Sequence, residues 1–192
     1  MCGRFTLRNT KKIKTELGID IVESYNITPS SDVVSISDKA QIMTWGFNPS
    51  WSAKPMNMIN ARSETMKEKK SFKWAKRCLI VADGWYEWVR KESGKQPYFF
   101  KMSDDKHFYF AGINNLYLGV RGCAIVTRDA SDRFAPIHKR MPVLLRENEA
   151  EKWLKGYEIF DSTLHEEIQF HPVSKLVNSP KNNTEECVTP IN

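Results

Sequence analysis

Residues 78–89 read Cys78-Leu79-Ile80-Val81-Ala82-Asp83-Gly84-Trp85-Tyr86-Glu87-Trp88-Val89, an apolar run, a two-residue break and an aromatic run. Both runs read as strands, and three more follow at Tyr98–Met102, His107–Ile113 and Cys123–Thr127. Breaks at Asp83-Gly84, Glu92-Ser93-Gly94-Lys95 and Asp104-Asp105 read as close turns, which predicts antiparallel pairing. So many strands in succession predict a strongly curved or barrel-like sheet. Upstream, Val33–Ser37 and Gln41–Trp45 alternate apolar and polar around Asp38-Lys39, a hairpin, and Tyr25–Ser30 reads as turn-rich. Short helices are expected at Thr10–Leu17, with Thr10 as its cap and Gly18 as its stop, at Glu147–Leu154 and at Ser162–Ile168. Ser63–Lys70 looks helix-like, and Phe170–Val177 reads as a returning strand. The expected fold class is α+β: one domain over residues 1–192, a mostly antiparallel, strongly curved or barrel-like sheet with peripheral short helices.

Composition bounds the function classes. Hydrophobic residues at 41% and charged residues at 27% are globular values. Neither a transmembrane run nor a signal peptide is present, so the expected place is the cytoplasm, associated with the nucleoid in a bacterium. Cys2, Cys78, Cys123 and Cys187 form no C-x-x-C pair, and the four histidines lack the spacing of a helical zinc site; no metal or cofactor is expected. Cys78 and Cys123 sit in apolar runs and read as core. A net charge of +6 favours a polyanionic partner.

The chain begins Met1-Cys2-Gly3-Arg4-Phe5, so loss of one residue places a cysteine at the terminus. Such a residue carries two nucleophiles on adjacent carbons, an amine of pKa about 7.7–8.0 and a thiol of about 8.5. An aldehyde meeting both gives an imine, then a thiazolidine as the thiol closes a five-membered ring. The same pair serves N-terminal-nucleophile amide hydrolysis. The alternative is a cysteine buried at the start of a strand.

Alternation puts Trp85, Glu87 and Val89 on one strand face, with Tyr86 and Trp88 opposite. A carboxyl among aromatic rings has its pKa raised toward neutrality, which suits a general acid or base; the alternative is an exposed strand glutamate. His138 stands in Pro136-Ile137-His138-Lys139-Arg140-Met141-Pro142, where two cations should keep the ring neutral; a structural histidine is the competing reading. Asn60 and Arg62 alternate around Ala61 and can present an amide and a guanidinium to one pocket. Trp51 lies in a Gly, Asn, Pro and Ser loop, where aromatics often serve a surface.

Together with Tyr25-Asn26-x-x-Pro29, Trp45-Gly46-Phe47-x-Pro49, Asn60-Ala61-Arg62-x-Glu64-Thr65 and His171-Pro172-Val173-Ser174, these motifs span nearly the whole chain in order. The sequence resembles the SOS response-associated peptidase family, the abasic-site-crosslinking proteins.

The resemblance implies a protein that binds single-stranded DNA and links covalently to abasic sites through a mature N-terminal Cys2. It implies Cys2 as the nucleophile, Asn60 holding the terminus or the sugar, Glu87 shuttling protons, and His138 assisting ring opening or later proton transfer. Arg4 and Arg62 would hold phosphates, Trp51 and Trp88 would stack or wedge against bases, and Pro29, Thr127 and Arg140 would line the DNA site. Partners would be abasic single-stranded DNA and the replication machinery, with the protein a monomer and no membrane involved. Two stretches depart from the pattern: Thr28-Pro29-Ser30 replaces an Ala-Pro-Gly turn, and Ser52 replaces an aromatic. Two other functions compete. An N-terminal-nucleophile amidohydrolase would typically carry an Asn-Gly pair, which this sequence lacks. A reversible single-strand-binding module would hold intact and abasic DNA equally.

Overall fold

A computed structural model describes residues 2–92 and 94–191. In chain order the strands and helices are β1 (Phe5–Leu7), α1 (Thr10–Leu17), β2 (Ser24–Ile27), β3 (Asp32–Ile36), β4 (Ala40–Trp45), β5 (Asn60–Arg62), β6 (Lys76–Ala82) and β7 (Gly84–Lys91). There follow β8 (Gly94–Met102), β9 (Phe108–Tyr117), β10 (Val120–Asp129), β11 (Arg140–Pro142), β12 (Leu144–Leu145), α2 (Glu147–Leu154) and β13 (Ile168–Pro172).

Two sheets share the chain. One is fully antiparallel in the order β13-β8-β7-β1-β2. In the other, β10, β4, β3, β6 and β9 pair in succession and β9 returns to β10, so the sheet curls into a closed circuit. Closure leaves these central strands without bare edges. The α+β class and the curled, largely antiparallel sheet are as the sequence predicts.

Asp83-Gly84 differs from the expected hairpin turn. β6 and β7 belong to different sheets, and this dipeptide carries the chain from one to the other. Buried Asp83 accepts from Thr6 Oγ1 at 2.5 Å, the Arg8 amide at 2.5 Å and Arg8 Nε at 3.1 Å, which fixes the crossover against β1. A side chain at Gly84 would put its Cβ 2.3 Å from the Phe99 ring, so only glycine fits that approach. The Asp104-Asp105 break likewise joins strands of different sheets, whereas β7–β8, β9–β10 and β3–β4 are hairpin-connected antiparallel pairs.

Aromatic side chains fill the space between the sheets. Trp85 stacks on Phe100 at 4.7 Å, and Phe5 meets Trp45 edge-on at 5.0 Å, all four essentially buried. Truncating Trp85 to alanine would cost roughly 3–5 kcal/mol, the usual value for a buried aromatic. Cys78 and Cys123 lie in this core, as their apolar runs predict.

Five local expectations are corrected. The cap of α1 is Asn9, whose side chain accepts from the Lys12 amide at 3.3 Å, while Gly18 ends the helix at φ 69° as expected. Residues 24–27 form a strand, with Asn26 donating to the carbonyls of Val177, Ser179 and Asn182. Residues 63–70 fold as successive turns because Met66 is their only buried side chain, leaving no apolar stripe to hold a helix. Residues 163–167 and 175–178 are 3-10 turns, which shorten the expected helix and end the last strand at Pro172.

Candidate functional site

The path to Cys2 is set by β1. Phe5 pairs with Trp85 and Thr6 with Gly84, and the Tyr86 amide donates to the Arg4 carbonyl at 3.0 Å. Continuing that antiparallel register brings residues 2 and 3 alongside Glu87 and Trp88. Strand β5 adds a second fixture from the opposite sheet: Asn60 Nδ2 donates to the Cys2 carbonyl at 2.9 Å. Asn60 is itself held by parallel pairing of β5 with Ile125–Thr127 of β10.

Cys2 is fully buried, and burial pushes its thiol well above the ordinary range, with the nearby Glu87 charge acting in the same direction. The thiol sits 3.8 Å from the Arg4 carbonyl. Near neutral pH it is therefore held as SH, and it is a weak first attacker.

Glu87 is 3% exposed, and burial pushes its pKa up to about 7. That is the value a proton shuttle needs near physiological pH. The alternation of β7 delivers it: Trp85 and Glu87 face the inter-sheet core while Tyr86 packs with the C-terminal segment.

His138 lies at the end of a tight turn, its amide bonded to the Phe134 carbonyl at 3.0 Å. Its Nδ1 is 3.9 Å from Glu87 Oε2 and 3.0 Å from both the amide nitrogen and the carbonyl oxygen of Arg140. Nδ1 can accept from that N–H or donate to that carbonyl, so the turn serves either tautomer of the ring. Its pKa is lowered, as the sequence predicts, but burial is the leading cause, ahead of the Arg140 charge.

Glu87 and His138 open onto a cleft of about 660 Å³, lined also by Trp88, Arg90, Lys95 and Asn178. Sequence reasoning missed the last three. Arg90 shares the strand face of Trp88, so alternation held that signal, and Lys95 is its hairpin neighbour. Asn178 comes from a distant 3-10 turn and carries no local signal; its Oδ1 accepts from the Trp88 indole at 2.7 Å.

The remaining expected DNA contacts divide. Arg62 is exposed and Trp51 is 49% exposed, both available to a large ligand, though neither lines the cleft. Pro29 is half-buried in the turn before β3 and does not line it. Three expectations meet structural competition. The Arg4 guanidinium donates to Asn26 Oδ1 at 2.8 Å and to the Val177 carbonyl at 2.7 Å, fastening the C-terminal segment. Arg140 grips Glu64 at 2.7 and 3.0 Å, Asp129 at 2.6 Å and the Thr127 carbonyl at 2.7 Å. It thereby braces the His138 turn, and Thr127 is fully buried below it. Among the described residues no group of three or more His, Cys, Asp or Glu could hold a metal ion.

Residues 1–180 match the sequence pattern of the SOS response associated peptidase (SRAP) family. The chain belongs to the SRAP family. It is 33% identical to the abasic site processing protein YoaM of Bacillus subtilis, over 98% of this chain and 97% of that one. Identity to the abasic site processing protein YedK of Escherichia coli is 30% over the whole of both chains. The abasic site processing protein HMCES of Gallus gallus is 36% identical over 78% of this chain and 56% of that longer protein. A solved structure from Bacteroides thetaiotaomicron superposes with a TM-score of 0.83 over all of both chains at 22% identity, so the SRAP chain and that protein share a fold. Among its described residues, this SRAP chain has no helix long and apolar enough to cross a membrane.

Proposed function

We propose that the chain processes abasic sites in single-stranded DNA, acting as one unit and capturing the lesion covalently through Cys2 once Met1 has been removed. The observation that carries this reading is the Asn60–Cys2 hydrogen bond, which fixes residue 2 from one sheet while Glu87 and His138 face the cleft from the other side. The names and identities of the relatives support the substrate.

Removal of Met1 consumes one water and converts the Cys2 amide nitrogen into an amine. The ring-opened abasic sugar is an aldehyde. The amine adds to its carbon, and the Glu87 carboxyl protonates the departing oxygen, which leaves as water. His138, 3.9 Å away, relays protons to and from Glu87 and assists opening of the sugar ring. The thiol then adds to the imine carbon and its proton goes to nitrogen, closing the thiazolidine; capture, from aldehyde to ring, releases one water. The raised thiol pKa supports this order, amine first and thiol second. A stable link would shield the lesion from strand cleavage. Arg62, Arg90 and Lys95 offer cations to the flanking phosphates. The protein works as a monomer in the cytoplasm, where the replication machinery exposes single strands.

Denaturing electrophoresis of protein lacking Met1 with a labelled abasic oligonucleotide tests the reading. A shifted band that requires both the lesion and Cys2 is expected. Equal, fully reversible retention of intact and abasic strands would overturn it.

A further inference from the structure

The basic segment beyond Arg62 is not consumed by the candidate site. From Lys67 to Arg77, six of eleven residues are cations and Glu68 is the one acid. Two of the cations have work inside the fold: Lys67 pairs with Glu158, and Arg77 lies 4.1 Å over the Trp153 ring. Lys69, Lys70 and Lys73 are exposed.

Two exposed tryptophans are interleaved with these lysines. Trp74 is 76% exposed with Lys73 Nζ 5.2 Å from its ring centre, and Trp51 is 49% exposed with Lys70 Nζ at 5.1 Å. The Trp51 indole donates to the Lys70 carbonyl at 3.4 Å, tying the two surfaces together. Phe72 anchors the segment beneath, buried and edge-on to Phe47 at 5.3 Å. The segment is also continuous with the site. The amides of Thr65 and Met66 bond to the Arg62 carbonyl, at the end of the strand whose Asn60 holds Cys2.

Leaving two large indoles in water is unfavourable unless a partner covers them, and lysines beside them select a polyanion with flat faces. Single-stranded nucleic acid has both properties: phosphates for the cations and a stackable face on every base. We propose that residues 67–77, joined to Trp51 through Lys70, form a ledge that extends the DNA surface to the single-stranded flank of the strand whose lesion occupies the site. Trp74 stacks on a flanking base, and Lys69, Lys70 and Lys73 meet successive phosphates. The identity of the strand rests on the proposed function; the ledge's preference for single strands does not.

The test measures affinity for intact single strands of about 5, 10 and 20 nucleotides, with covalent capture of abasic strands of the same lengths run beside it. Trp74→Ala is expected to weaken the longest strand about tenfold and leave the shortest unchanged. Lys69→Gln with Lys73→Gln should lower the salt slope on the longest strand by about 1.4, at about 0.7 per lost phosphate contact. Val22→Ser, at another exposed apolar position, should change neither. Losses equal at every length, no loss at any, or a wild type that binds long strands no tighter than short ones would overturn the ledge. Length-dependent loss without covalent capture would overturn the proposed function alone, and normal capture with no Trp74 effect would overturn the ledge alone.

Discussion

Glu87 Oε2 and His138 Nδ1 lie 3.9 Å apart, a buried acid and a half-buried base brought together from β7 and the turn before β11. Their environments displace their proton affinities in opposite directions, Glu87 upward and His138 downward, both chiefly by burial. This leaves a protonated carboxyl beside a neutral imidazole just below pH 7, a pair able to donate and accept.

The displacement has a stability consequence with a definite sign. Glu87 titrates near 4.5 in the unfolded chain and near 7 in the fold, so the folded state binds the extra proton between those values. The contribution of Glu87 to native stability is therefore fully present below about 4.5 and is lost as pH rises through about 7. Glu87→Gln cannot lose a proton and should gain on the wild type across that window, by up to roughly 3 kcal/mol. His138→Asn should gain in the other direction, as pH falls below about 6.5, because a base with a lowered pKa penalises the fold when it charges. Urea unfolding at a series of pH values reads both; parallel curves for either variant and the wild type would contradict its burial.

Capture rate should follow a bell in pH. It falls at acid pH as the Cys2 amine takes up a proton, and it falls above about 7 as Glu87 loses its own. Glu87→Gln should slow capture at least tenfold and flatten the alkaline limb, with DNA affinity nearly unchanged. A loss confined to affinity would remove Glu87 from the chemistry.

Asn60→Ala deletes the bond that holds the Cys2 carbonyl. It should reduce capture about tenfold, since one lost hydrogen bond of about 1 kcal/mol is compounded by a misplaced amine. Single-turnover rates on one abasic oligonucleotide check this, and an unchanged rate would make the contact structural only.

Ser30 adopts φ 72°, a left-handed conformation strained for a side chain, at the turn position where the family pattern carries glycine. Its amide bond to the Trp45 carbonyl at 2.8 Å would survive substitution. Ser30→Gly should stabilise the fold by up to about 1 kcal/mol, read as a higher denaturant midpoint at constant slope.

What the sequence disclosed and what it hid follow from the range of the interactions. Strand content at 78–127 was legible because alternation and turn chemistry are local. The sheet change at Asp83-Gly84 was not, because Asp83 acts through Thr6 and Arg8, more than seventy residues away. Nor was the parallel pairing of β10 with β4 and β5, since alternation says which face a residue takes and not which neighbour it meets. Within the site, Glu87 was legible from its aromatic flanks. The protein partners of Arg4 and Arg140 were not legible, because an arginine's partners are invisible in sequence; in the fold Arg4 meets Asn26, and Arg140 meets Glu64 and Asp129.

The central claim is that Cys2 reacts through both its amine and its thiol, and mass mapping of the crosslink tests it most directly. After proteolysis, the adduct should sit on the peptide that begins at Cys2, its mass equal to peptide plus sugar fragment less one water. Its thiol should resist alkylation, and borohydride should add no hydrogen. An adduct on a lysine, or one on Cys2 whose thiol alkylates freely and whose mass rises by two hydrogens on reduction, would contradict the ring.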